Sequence, residues 1–216
     1  MTAAGAPGAT MRALDDETAA LVRLAVTIAV GDEGALREGV ARAAASAADP
    51  VHVEEVILQS YLFVGFPRAL NAMRAWRKAT GRAAPARDED AAGASPAGRR
   101  VRGELTCATV YGRLYDRLRV NIRELHPALD DWMIEEGYGR VLGRGALALR
   151  ARELCVAAVC AATEQDRQLH SHLHGALHAG ASAAEVSAAL AIAGERLGPD
   201  SRDRIAHLWA RVRAVA

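Results

Sequence analysis

The chain has 216 residues and a formal net charge of +1, a balance that offers no electrostatic case for nucleic acid or an anionic membrane surface. Half of it is apolar (51%) but only 4% is aromatic, and the abundance of alanine beside few β-branched residues favours closely packed helices over sheets. No stretch reaches the roughly 18 uninterrupted apolar residues of a membrane span, and the length suits one domain or two small ones.

In chain order, the Ala/Gly/Pro stretch at the start is too weakly apolar for a secretory signal and reads as a disordered tail over 1–13. A helical unit over 14–79 follows, with helices near 17–30 and 35–47 separated by the break Gly31–Gly34. Asp49-Pro50 is a start signal for a third helix to about Phe63, and Gly65-Phe66-Pro67 interrupts it before a further helix to about Lys78. Residues 80–103, rich in Ala, Gly, Pro, Arg and Asp without periodicity, read as an exposed linker. The second unit, 104–216, opens with a helix over 104–125 that places Val110, Leu114, Leu118 and Ile122 on one side. His126-Pro127 breaks it and a helix over 128–138 continues. Helices are then expected over 151–162 and 164–179, with Thr163 as N-cap, Asp166 completing an approximate capping box and Gly180 closing the second. Ser182 with Glu185 repeats the capping signal for a helix to about Gly194. Gly198-Pro199 leads into 201–215, where Ile205, Leu208, Val212 and Val215 recur at helical spacing.

The two units repeat each other at an offset of 133, aligning without gaps from Thr18 with Ala151 to Ile57 with Leu190. Val26 meets Val159, Leu36 meets Leu169, Val40 meets Leu173 and Val53 meets Val186, so the apolar skeleton survives. The polar positions do not: Glu153 meets Ala20, Gln165 meets Asp32, Gln168 meets Ala35 and His172 meets Gly39. The chain therefore reads as two tandem copies of a helical repeat, the N-terminal one degenerate and structural.

Most candidate chemistry lies in 150–194. Gln165, Gln168 and His172 fall at i, i+3 and i+7 and share a helical stripe. Glu153 and His172 lie roughly 14–15 Å either side of the Thr163 turn at 1.5 Å rise per residue. Folding the two helices back on each other brings carboxylate and imidazole level. The alternative readings are an exposed first-turn carboxylate for Glu153, favoured by the helix dipole, and a hydrogen-bonded core histidine for His172. Tyr138 between two glycines either lines a pocket or finishes a helix. Arg140, Arg144, Arg150 and Arg152 are the neighbouring candidates for binding a carboxylate group.

His170, His174 and His178 form an i, i+4, i+8 ladder, but no Cys or acid is spaced to complete a tetrahedral metal site, and no cofactor is expected. Cys107, Cys155 and Cys160 form no CxxC; they read as reduced, core-filling thiols of a cytoplasmic protein. Lys78 is the only lysine among 27 basic residues. Genome base composition accounts for that bias more simply than selection for anion binding does.

The segment "RELCVAAVCAATEQDRQLHSHLHGALHAGASAAEV" resembles the carboxymuconolactone decarboxylase family and the wider AhpD-like superfamily, as do "LFVGFPRALNAM" and "LHPALDDWMIEEGYGRVLGR". AhpD-type peroxidases carry a Glu, a CxxC beginning twelve residues later and a His four beyond the second Cys. On this chain that pattern falls on Glu153, Gln165, Gln168 and His172, so the acid and the imidazole remain while the redox couple is lost. The resemblance implies an all-α, AhpD-like helical fold, assembly into trimers or hexamers, and a small-molecule substrate. It further implies acid–base chemistry, decarboxylation or proton transfer, on a small carboxylated lactone or keto acid. In that reading Glu153 and His172 are catalytic, and Gln165, Gln168, Arg152 and Tyr138 bind substrate. The alternatives are a peroxiredoxin-type alkylhydroperoxidase, disfavoured by the missing CxxC, and a non-catalytic oligomeric or small-molecule-binding protein.

Overall fold

The computed structural model describes residues 13–88, 90 and 95–215, and among these there is helix and no strand. The tail expected over 1–13 lies, but for its last residue, outside them. The first three helices share one starting device, an aspartate whose carboxylate accepts from an otherwise unpaired backbone N–H. Asp15 caps α1 (Asp16–Val30), Asp32 caps α2 (Glu33–Ala45) and Asp49 caps α3 (Pro50–Thr80), which has Pro50 in its first turn. Gly65 breaks α3 with φ 78° and ψ 164°, a conformation open to glycine, and the helix resumes through Pro67. From the resumed stretch Arg68 donates to the carbonyls of Ile28 and Gly31, satisfying the open end of α1.

The expected linker is shorter than composition suggested. Helix α4 runs Pro96–Tyr111, capped by Ser95, so residues 96–103 are helical. What holds them is close approach of backbones, which leaves no mark in apolar periodicity. Gly103 and Gly139 stand where α4 crosses a π-helical segment, Met133–Leu142. A Cβ on Gly103 would meet the Ile134 carbonyl, and one on Gly139 the Arg99 carbonyl. Gly139→Ala is therefore expected to destabilise the chain by about 2–3 kcal/mol, the cost of overpacking against a backbone that cannot rotate aside. Urea unfolding of the variant measures it, and a change under 0.5 kcal/mol, the ordinary scatter of surface substitutions, would show that the crossing opens freely.

The single helix expected over 104–125 is interrupted at Gly112, which has φ 52°. A 3₁₀ turn, Gly112–Leu114, leads into α5 (Tyr115–Leu125), and α6 (Pro127–Trp132) passes into the π segment. Asp130, almost fully buried on α6, ties this corner together by accepting from Arg119 and Arg123. Those two guanidiniums, Arg119 foremost, hold its carboxyl below the usual range.

The remaining helices are α7 (Leu149–Ala162), α8 (Asp166–His178), α9 (Ala183–Gly194) and α10 (Pro199–Arg213). Every residue of Ala151–Ala162 is buried. A helix buried on every face belongs inside a bundle rather than on its surface, and α7 packs against α1, α3, α8 and α9. Thr163 does not cap α8, as the sequence suggested; it ends α7, and Glu164 turns the chain in the left-handed region at φ 58°. Gln165 occupies the N-cap position without a side-chain bond, whereas Ser182 and Glu185 do form a capping box on α9. Shifted by 133, the bounds of α2 fall on those of α8, and the starts of α1 and α3 fall on those of α7 and α9. No helix among the described residues is long and apolar enough to cross a membrane.

Candidate functional site

Two consecutive charged residues lie on the buried helix α7, and successive positions on a helix point about 100° apart. They are thus presented to different neighbours. Glu153 turns to α8, where its Oε2 lies 2.8 Å from His172 Nδ1. The carboxylate is 0% exposed and the His172 residue 5%, so the reading of Glu153 as an exposed first-turn acid is excluded.

Gly175, one turn beyond His172, makes room for this contact. A Cβ there would sit 2.5 Å from Glu153 Oε2 and 2.6 Å from Val110 Cγ1. Phe63, from the end of the first half of α3, stands edge-on to the imidazole with ring centroids 6.1 Å apart. Tyr138 is buried in the π segment and edge-on to Tyr111 at 6.2 Å. Burial raises both phenols, and the Glu153 charge adds to the rise. That charge also acts on Cys107 and Cys160. The pair thus sits in an apolar and phenolic shell, with two atoms unengaged. Glu153 Oε1 is buried without a hydrogen-bond partner, and His172 Nε2 has none among the described residues.

The other residues expected here are distributed differently. Gln165 is exposed and donates to the Thr163 carbonyl at 3.0 Å. Gln168 is exposed too, and neither amide hydrogen-bonds to Glu153 or His172. Arg152 was expected to bind substrate and does not face the pair. It is fully buried against α3, donating to Glu55 at 2.6 Å, to Gln59 at 3.3 Å and to the carbonyls of Leu147 and Arg144. Arg140 pairs with Glu136, Arg144 with Glu55 and Asp88, and Arg150 with Glu185 and Asp15. All four arginines are therefore held by carboxylates of this chain. Of the histidine ladder, His178 engages the Val110 carbonyl at 2.8 Å, while His170 and His174 meet edge to face at 5.0 Å.

Sequence reasoning missed Phe63, Tyr111 and Gly175. Phe63 lies within "LFVGFPRALNAM", so its segment was visible although its partner was not. Gly175 had a local signal, a small residue one turn after the histidine and on its face.

The thiols bear on redox chemistry directly. Burial pushes Cys107, Cys155 and Cys160 up to about 12. Against an ordinary value of about 8.5, the thiolate fraction at neutral pH falls by roughly three orders of magnitude. Iodoacetamide at neutral pH is accordingly expected to label the native protein at least a hundredfold more slowly than the urea-unfolded chain. Hydroperoxide turnover with a dithiol reductant should not be sustained. Turnover that disappears when all three cysteines become alanine would overturn this.

An all-α bundle in which adjacent helices bring a buried glutamate and histidine together has the AhpD-like helical architecture. Residues 127–208 match the model of the carboxymuconolactone decarboxylase family, the family whose motifs the sequence resembles. The matched segment, less than half of the chain, runs from α6 into α10 and contains both Glu153 and His172. No curated protein matches the chain.

Proposed function

We propose that this protein catalyses proton transfer on a small organic acid, a carboxylated lactone or keto acid, with His172 as the group that carries the proton. The observation that supports this most is the Nδ1 contact to Glu153, which leaves Nε2 unengaged. An ionised carboxylate only accepts, so Nδ1 holds the hydrogen and Nε2 presents its lone pair as a base. After taking a proton, the imidazolium is stabilised by the same carboxylate. In a decarboxylation the C–C bond to the departing CO₂ breaks, its electron pair enters the adjacent carbonyl, and the carbon is then protonated. His172 Nε2 takes the proton of the substrate's carboxyl group as CO₂ departs and, as imidazolium, delivers it to that carbon, while Glu153 holds the ring in place. Apolar and phenolic walls from Phe63, Tyr111 and Tyr138 exclude water, which strengthens the pair's field on a bound substrate. The substrate class rests on the family match, since Arg140, Arg144, Arg150 and Arg152 are each held by carboxylates other than Glu153.

The test is incubation with a panel of carboxylated lactones and β-keto acids in D₂O, following CO₂ release and deuterium at the product carbon. Catalysed release with deuterium incorporation supports the reading. Neither above the rate of the buffer blank overturns it in favour of a non-catalytic role, for which the near-complete burial of His172 is the supporting observation.

A further inference from the structure

A separate cavity of about 400 Å³ is bounded by α1, α2 and the end of α9. Its residues stand in a definite relation to the Glu153–His172 pair. At the offset of 133, Ala20 takes the place of Glu153, Gly39 that of His172, Thr27 that of Cys160 and Arg42 that of Gly175. The correspondence also runs the other way. Arg196, which follows α9, counts back to Phe63, the residue that stands against the His172 ring. The cavity is the positional counterpart of the acid–base pair, with alanine and glycine where the other copy carries glutamate and histidine, and with Thr27 packed close against Gly39.

It is not merely emptied. Three guanidiniums, Arg23, Arg42 and Arg196, border it, where the other copy has Val156, Gly175 and Phe63. Leu24, Val26 and Ile192 give it an apolar wall. One acid, Glu195, lies on the rim and is engaged by Arg23 at 2.6 Å. Among the described residues Arg42 pairs only with Glu38, at 3.6 Å across an exposed helical turn. The Arg196 side chain has no ion pair among the described residues. Planar guanidiniums over an apolar wall suit a carboxylate carried on a compact apolar body, because the forked donors take both oxygens while the body displaces water from the wall.

We infer that this cavity is a binding site for a small organic carboxylate, distinct from the Glu153–His172 pair and without acid–base chemistry of its own. The probe is benzoate, titrated calorimetrically into the full chain, with benzamide as its neutral counterpart. Benzoate should saturate one site, weakening as salt is added, and benzamide should bind at least tenfold more weakly. Arg42→Met with Arg196→Met should weaken benzoate roughly tenfold or more, the loss of about one charge-assisted contact. Both side chains are exposed, so the fold should persist, as circular dichroism would report. Ala20→Leu should weaken benzoate similarly by filling the space. Equal affinity for benzoate and benzamide, no binding of benzoate, or benzoate binding unchanged in both variants would each overturn the inference. None of these outcomes depends on catalysis at His172.

Discussion

His172→Gln is expected to cost two to four orders of magnitude in turnover on whichever small acid proves to be the substrate, the usual weight of a positioned acid–base group. Glu153→Gln should cost a comparable amount for a different reason. The glutamate accepts from Nδ1, which fixes Nε2 as the basic nitrogen. A glutamine in the same volume offers an N–H₂ group to Nδ1 and drives the imidazole toward the tautomer whose Nε2 carries hydrogen. The base is then turned into a donor without any change of shape. Both variants should remain folded, because Leu169 and Leu173 keep α8 docked and every neighbour of Glu153 on α7 is buried independently of it. The measurement is kcat and KM for each variant beside its thermal unfolding. Folded variants that retain more than a tenth of wild-type kcat would remove the pair from the chemistry. A further check is Gly175→Ala. Its new methyl would press on both Glu153 Oε2 and Val110, so it should disturb the pair's geometry while leaving both reacting groups in the chain.

How much of this was legible in the sequence follows from the range of the forces involved. The helix starts at Asp49 and Ser182 are local events, a side-chain oxygen meeting an N–H two or three residues away, and can be read directly, whereas Asp32, inside the expected break, caps a helix that begins two residues earlier than expected. The meeting of Glu153 with His172 was readable too, because a fixed rise per residue sets the register of two adjacent helices about their turn. The turn itself was misread. Thr163 resembles a cap, but Glu164 takes a left-handed conformation that moves the start of α8 two residues on. The early start of α4 was invisible because residues 96–103 carry no apolar stripe; glycine contacts to a helix over thirty residues away hold them. Arg152 was misplaced for the same kind of reason. Its neighbour in sequence faces α8, but its own direction leads to Glu55, 97 residues distant, and no local pattern encodes such a partner.

That distant partner carries the largest stability effect expected in the chain. Arg152 is 0% and Glu55 3% exposed, and they meet at 2.6 Å between α7 and α3. Burial lowers the guanidinium from its ordinary value, and the bond to Glu55 works against that fall. Glu55 also accepts from Arg144, which is shared with Asp88. Removing the carboxylate leaves a buried cation facing Gln59 and two carbonyls, none of which carries a compensating charge. Glu55→Gln is therefore expected to destabilise the chain by about 3–5 kcal/mol, the cost of breaking a buried pair from one side. Arg152→Met alone should cost less, since Glu55 keeps Arg144 as a partner. The double variant, Glu55→Gln with Arg152→Met, should be well above the sum of the singles in stability, because the stranded charge is gone. Urea denaturation of all four proteins measures the coupling. Strict additivity would mean that water reaches Arg152 when Glu55 is neutralised, and that the joint between α3 and α7 is held by its apolar contacts alone.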